Sequence, residues 1–184
     1  MASTAARPVS AENASDLLVR EITGTEFVPQ TFRLRYEIWK DEATLKPEIH
    51  ACGSITDEHD AHARHWAVLQ AERIVAAARM CIHDLQEDTP DNPAFSQIRL
   101  RSPIATLNRL VVHRSVRRRG LAALLDICRV EAARREGAEC VVGTAAQARI
   151  PSLERLGFRR LLGSKWVMTY AESLEFHPMI LNFE

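Results

Sequence analysis

Charge of one sign is what this sequence lacks most plainly: 24 lysines and arginines meet 24 aspartates and glutamates, for a formal net charge of +0. A whole-surface attraction to nucleic acid or to an anionic membrane is therefore not indicated. Aromatic residues are also sparse, at 6% of the chain, and none interleaves with the arginine run of residues 117–119. The stacking platform of a single-strand binder is thus missing as well. No apolar run approaches the roughly 20 residues that span a bilayer. The 4 cysteines, Cys52, Cys81, Cys128 and Cys140, show neither close pairing nor metal-ligand spacing. Three of them lie in apolar runs, where a reduced thiol packs as a small hydrophobe. No metal is expected. Residues 1–15 carry no hydrophobic signal core and read as a flexible leader, so the expected setting is the reducing cytoplasm. Residues 16–184 suit one domain with a sizeable core.

Apolar periodicity supplies the elements. "LLVREI" reads as a first strand, and residues 27–42 as a helix. "HWAVLQ" and "RIVAAARMCIH" flank the short break "AE" and read as an antiparallel hairpin. The stretch from Ala43 to His65 is ambiguous, with turns near Pro47 and Gly53. Residues 84–103 are acidic and proline-bearing, a loop length common in lids and mobile segments. "IATLNRLVVH" is a β-branched central strand. Beyond it, Leu121, Leu124, Leu125, Cys128 and Ala132 share one face of a helix over residues 120–135 that stops at Gly137. "ECVVGT" reads as a buried strand, "IPSLERLGF" as a short helix opened by proline and closed by glycine, and "KWVMTY" and "HPMIL" as the last strands. The order predicts an α/β sandwich with a mixed sheet.

The run "HRSVRRRGLAALL", residues 113–125, lies between the central strand and that helix. A helix N-terminus presents free amides and partial positive charge, and glycine admits a ligand close to the backbone. Together they bind phosphate groups. A Walker loop would need lysine and Ser or Thr after its glycine, where Leu121 and Ala122 stand; a dinucleotide fingerprint would need more glycines.

The pattern Arg117-x-x-Gly120-x-Ala122 resembles the coenzyme A signature of the GNAT acyltransferases. "LNRLVV" is similar to that family's splayed central strand, and "AQARIPSLERLGFRRL" to its final strand-helix-strand unit. The resemblance spans about Leu17 to Leu181. It implies a mixed, mostly antiparallel central sheet with helices on both faces, acetyl-CoA or another acyl-CoA as cofactor, and N-acyl transfer as the activity. It further implies that Leu110, Val111 and Val112 meet the pantetheine arm, with a strand amide near Leu110 facing the thioester carbonyl. The amides from Arg117 through Arg118, Arg119, Gly120, Leu121 and Ala122 to Ala123 would hold the diphosphate, with Arg117 or Arg118 reaching a phosphate. Two branches compete. "AQARI" and "EFHPMIL" are similar to ElaA-type acetyltransferases, with Arg149 in place of a histidine and Leu153 in place of the helical tyrosine. "LRYEIW", "DEHD", Arg79 and Arg109 resemble acyl-homoserine-lactone and N-acyl-amino-acid synthases. The lactone synthases carry glutamate three residues before the second arginine, and here that position is Thr106.

Acyl transfer to an amine needs a neutral nucleophile, a stabilised oxyanion and a thiolate that can leave. The candidate catalytic groups are Asp57, Asp60 and His65 in "DEHDAHARHW", with His59, His62 and His177 as further imidazoles. Arg35 and Trp39, one helical turn apart, would line the acceptor site together with Arg79 and Arg109. Paired instead with those arginines, Asp57 and Asp60 would be structural. The expected acceptor is a small-molecule amine, with no nucleic acid and no membrane as partners; a homodimer is left open. The competing functions are a long-chain N-acyl amino acid synthase and a non-catalytic CoA-binding module.

Overall fold

The computed structural model of the chain describes residues 17–41, 52–163, 166–167 and 175–184. The expected leader, the turn at Pro47 and most of the strand expected over residues 165–170 lie outside them. Eight strands form one sheet: β1 (Leu17–Glu21), β2 (Arg64–Gln70), β3 (Arg73–His83), β4 (Ile104–Val112), β5 (Cys140–Ala146), β6 (Arg159–Arg160), β7 (Trp166–Val167) and β8 (Glu175–Asn182). Their order is β1-β2-β3-β4-β5-β8-β6, with β7 also on β8. Every pairing is antiparallel except β4 with β5. Among the described residues four α-helices accompany them: α1 (Val28–Asp41), α2 (Asn92–Phe95), α3 (Leu121–Arg135) and α4 (Ile150–Glu154). No helix among the described residues is long and apolar enough to cross a membrane.

Strand alternation sends the two sheet faces to different helices. On β3, Ala76, Ala78 and Met80 join Leu121, Leu125 and Ala132 of α3 in one core. Ala77 between them joins Leu34 and Ile38 of α1 in another. The break "AE" is a two-residue turn with Ala71 and Glu72 both at positive φ, 47° and 64°. That geometry matches the right-handed twist of the hairpin.

Three expectations change. The buried stripe of α3 is Leu121, Leu125, Asp126, Arg129, Ala132 and Ala133, while Leu124 is exposed and Cys128 half-buried. The stripe turns because Asp126 and Arg129 pair inside the protein, which an apolar count cannot register. The segment 84–103 is a packed cover rather than an open lid. Ala94, Phe95 and Leu100 are buried against Ile104, Cys140 and Val142. The Gln86 side chain donates to the carbonyls of Phe95 and Ile98 and accepts from the Leu100 amide. Finally, Arg159–Arg160 form a short strand after α4, which apolar periodicity does not register and the strand-helix-strand resemblance implies.

Candidate active site

The sheet opens at its one parallel pairing. Register between β4 and β5 runs from Ile104–Cys140 to Thr106–Val142. Beyond it, β4 residues have no partner on the β5 side among the described residues. Gly143 marks the parting point: a Cβ there would sit 2.7 Å from the Leu107 carbonyl oxygen, so only glycine lets the strands close up to that level. On its other side β4 slips by one residue against β3, between the pairs Ala77–Val111 and Arg79–Asn108. Arg109 takes φ 54° at this bulge. A bulge bends its strand and re-aims side chains. Here it turns β4 away from β5 and leaves a wedge beside Asn108, Leu110 and Val112.

The arginine run sits at the mouth of this wedge. A 3₁₀ turn, Arg114–Val116, is capped by the His113 ring, which accepts from the Ser115 amide. Arg118 at φ 63° and Gly120 at φ 76° then curl the chain into α3. Among the described residues, no backbone carbonyl accepts from the amides of residues 118–123, and Gly120 has no atom within 4 Å of where its Cβ would lie. Such a cluster of open amides at a helix start offers the donors that an anion needs. Arg118, Arg119 and Gly120 are exposed, and Leu121 anchors the helix start in the core. One detail departs from expectation: Arg117 Nε donates to the Val112 carbonyl at 3.1 Å. This ties the run back to β4 and occupies an oxygen expected to be open.

The acceptor-side candidates do come together. α1 and the 3₁₀ turn Glu58–Ala61 lie over the sheet face that carries Arg79, Asn108 and Arg109. Asp57 caps the turn through the His59 amide, and the Asp60 carboxylate accepts from the Asp57 amide at 3.0 Å. The two carboxylates therefore point the same way, into three guanidiniums. Asp60 pairs with Arg35 at 2.9 Å and Arg79 at 3.0 Å. Asp57 pairs with Arg79 and Arg109. Arg35 and Arg79 are fully buried, whereas Arg109 is a quarter exposed and stacks 5.6 Å from the Trp39 ring. Trp39 is the less buried of the α1 pair.

This is a poor setting for a proton acceptor. Burial works against the Asp57 charge, but the Arg79 hydrogen bond and the charges of Arg109 and Arg79 outweigh it and hold the carboxyl well below the ordinary range. Burial lowers Arg35 to about 10, still charged at neutral pH. His65 is buried, lies 3.2 Å from the Asp60 carbonyl oxygen through Nε2, and has no partner for Nδ1 among the described residues. Burial pushes its imidazole down. His83 is also lowered, by burial and then by His59. Imidazoles lowered on folding bind protons less readily than in the unfolded chain, so their stability is present above about 6.5 and is lost as pH falls below it. Urea unfolding should therefore show declining stability from pH 7.5 to 5.5, and His65→Gln should reduce that slope. An unchanged slope would mean that the buried ring is not the group being titrated.

Several functional-looking groups were not reached from the sequence. His83 bonds the Thr106 hydroxyl at 3.1 Å, and its ring meets that of His59 edge-on at 5.7 Å. Asn108 accepts from Arg79 Nε at 2.7 Å, while its own amide nitrogen is buried with no partner among the described residues. Asp91 accepts from the Thr144 hydroxyl at 3.0 Å. On the opposite sheet face, Asp126 joins Arg129 to Arg149. Arg129 donates to the carbonyls of Arg79 at 2.9 Å and Asn108 at 3.2 Å, bracing the bulge from beneath. A buried arginine or aspartate gives no periodic signal, and only unusual placement inside an apolar helix hints at it. His177 is buried beside Arg160, outside this cluster.

A family model described as an acetyltransferase (GNAT) domain matches residues 34–126, from the buried face of α1 to the first half of α3. No curated protein matches the sequence. Among solved structures, the chain is similar to a CoA-dependent acyl-homoserine lactone synthase, BjaI, determined with SAM and isopentyl-CoA. The identity is 19% and the TM-score 0.67, over 91% of this chain and 83% of that one. It is also similar to an acyl-CoA N-acyltransferase from Pseudomonas aeruginosa, at 14% identity and TM-score 0.61, over 90% and 97% of the two chains. Escherichia coli ElaA gives 14% and 0.61, over 89% and 98%. At these identities the structural likeness speaks for the fold.

Proposed function

The chain belongs to the GNAT acetyltransferase family, and we propose that it is an N-acyltransferase moving an acetyl or longer acyl group from acyl-CoA to the primary amine of a small, amino-acid-like acceptor. The observation that carries this reading is the wedge between β4 and β5 with a cradle of open amides at its mouth. It fits a ligand with a diphosphate at one end and an extended amide-rich arm. The amides of residues 118–123 would hold the diphosphate, with Arg117, Arg118 and Arg119 around it. The β4 edge at Leu110, Val111 and Val112 would meet the arm, and the buried, unpartnered amide nitrogen of Asn108 offers a donor to a carbonyl at the wedge's closed end. A backbone N–H near Leu110 would stabilise the oxyanion. The thiol, with a pKa of about 8.5, leaves without a strong acid. That matters because Leu153, buried in the core, has no proton to give.

The acceptor would lie over the ion cluster. Arg35, Arg79 and Arg109 outnumber Asp57 and Asp60 by one charge. The excess favours an acceptor that carries a carboxylate as well as its amine. Arg109, the partly exposed member backed by Trp39, is the group to receive it. In this reading Asp57 and Asp60 hold the guanidiniums in position, and His65 backs Asp60 as a neutral ring. The reading includes a cytoplasmic setting, in keeping with free thiols at Cys81 and Cys140.

Thiol release from acetyl-, octanoyl- and dodecanoyl-CoA with a panel of amino acids and diamines tests this reading. Amino acids should exceed diamines at least tenfold in kcat/KM. Dodecanoyl transfer alone would identify a long-chain N-acyl amino acid synthase. CoA binding without thiol release for any amine would leave a non-catalytic CoA-binding module.

A further inference from the structure

Asp91 stands where an aspartate ordinarily caps a helix, yet it caps nothing. It holds the N-cap position of α2, but its side chain makes no bond to the first-turn amides. It turns to the sheet instead, and Oδ2 accepts from the Thr144 hydroxyl at 3.0 Å. Thr144 lies two residues beyond Val142, the last β5 residue paired with β4. It therefore borders the wedge. By strand alternation it shares the sheet face of Cys140 and Val142, the face on which the 84–103 cover packs. The charged or titratable groups whose fields reach Asp91 include Arg109 of β4, Arg79 of β3 and His59 of the 3₁₀ turn. Arg109 pairs with Asp57, and Arg79 with both Asp57 and Asp60.

We propose that Asp91 is the general base of the transfer, taking the proton from the acceptor's ammonium beside the parting of β4 and β5. The proposal rests on the acyltransfer reading and supplies the base which that reading lacks, since Asp57 and Asp60 are committed to arginines. The Asp91 carboxylate takes one proton and becomes a neutral acid. The freed amine attacks the thioester carbonyl carbon, forming the C–N bond. As the C–S bond breaks, the second ammonium proton passes from nitrogen to the departing sulfur. Amide and free thiol leave, and Asp91 returns its proton to solvent. Burial raises the Asp91 carboxyl above the ordinary carboxylate value, with the Thr144 hydrogen bond pulling the other way. It thus moves toward the range where a base works at neutral pH, while Asp57 moves away from it.

The test uses acetyl-CoA with glycine or hydroxylamine as acceptor, across pH 5 to 9. Glycine arrives as an ammonium, whereas the hydroxylamine nitrogen is already neutral at pH 7. Asp91→Asn keeps an oxygen for Thr144. It should retain the melting temperature and CoA affinity, lose on the order of 100-fold in kcat with glycine, and lose the acid limb of the profile. With hydroxylamine the loss should stay below about fivefold, since no proton need be removed before attack. Thr144→Val removes a hydroxyl that favours the charged carboxylate, and should move the acid limb to higher pH. Equal losses with both acceptors, or an acid limb unchanged in Asp91→Asn, would overturn the assignment. Wild-type protein that binds CoA but releases no thiol with any acyl-CoA and amine of the panel above would overturn the acyltransfer reading itself, and this assignment with it.

Discussion

Asp60→Ala is expected to lower the melting temperature by on the order of 10 °C, at about 2–4 °C per kcal/mol for a chain of this size. The Asp60 side chain is 6% exposed and both its oxygens are in use: by Arg35, by Arg79 and by the Asp57 amide. Removing the carboxylate leaves the Arg35 guanidinium buried with, among the described residues, the Ile55 carbonyl at 3.3 Å as its remaining hydrogen-bond acceptor and the Phe32 ring beside it. Breaking one side of a buried pair in this way costs about 3–5 kcal/mol. Asp57→Asn should cost less, because Asp57 and Arg109 are both more than a fifth exposed and water can reach the charge left behind. The double variant Asp60→Ala with Arg35→Met should recover a large part of the loss, since no buried charge is then stranded at that point. The measurement is thermal or urea unfolding of the three variants. A melting temperature for Asp60→Ala within about 2 °C of wild type would show the cluster to be better hydrated than its burial indicates.

Gly120→Glu is expected to weaken CoA binding at least about 100-fold, by placing a carboxylate among the amides proposed to hold the diphosphate. Two effects act at this position and must be separated. Gly120 has φ 76°, so any side chain there is strained. Gly120→Ala carries that strain without the charge, and should lose less than about tenfold. The difference between the two variants is then the electrostatic part. It should shrink as salt rises, because the site is open to solvent. The fold gives an independent control. A carboxylate at a helix N-terminus is favourable to the helix, so Gly120→Glu should melt no lower than Gly120→Ala. Calorimetry with CoA and with a pantetheine fragment lacking phosphate completes the comparison. Equal affinity of wild type and Gly120→Glu for CoA would dismiss the cradle.

The elements legible in the sequence were those with a local cause. The hairpin of β2 and β3, the apolar β4 and the helix that opens after Gly120 each carry their pattern within a dozen residues. The partnership of Asp57 and Asp60 with Arg79 and Arg109 was legible as one of two alternatives, because strand arginines that point inward need anions. Asp91 was not legible. Its proline-flanked setting in "DTPDNP" is that of a turn or helix cap, and only the packing of Phe95 against Cys140 and Val142 carries it to Thr144, 53 residues away. The stripe of α3 was misplaced for a related reason. Asp126 and Arg129 are polar as single residues and bury well only as a pair.

The Arg129 guanidinium has a consequence for how donor and acceptor would bind together. It belongs to the helix whose first turn forms the proposed donor cradle, and it grips the carbonyls of Arg79 and Asn108, strand residues at the proposed acceptor side. The two proposed half-sites are therefore joined through the thickness of the sheet by one side chain. If occupation of the cradle draws the start of α3 even slightly, the same movement reaches the bulge in β4. The two ligands then cannot bind independently. Whatever factor the donor applies to acceptor affinity, the acceptor must return in equal measure to the donor.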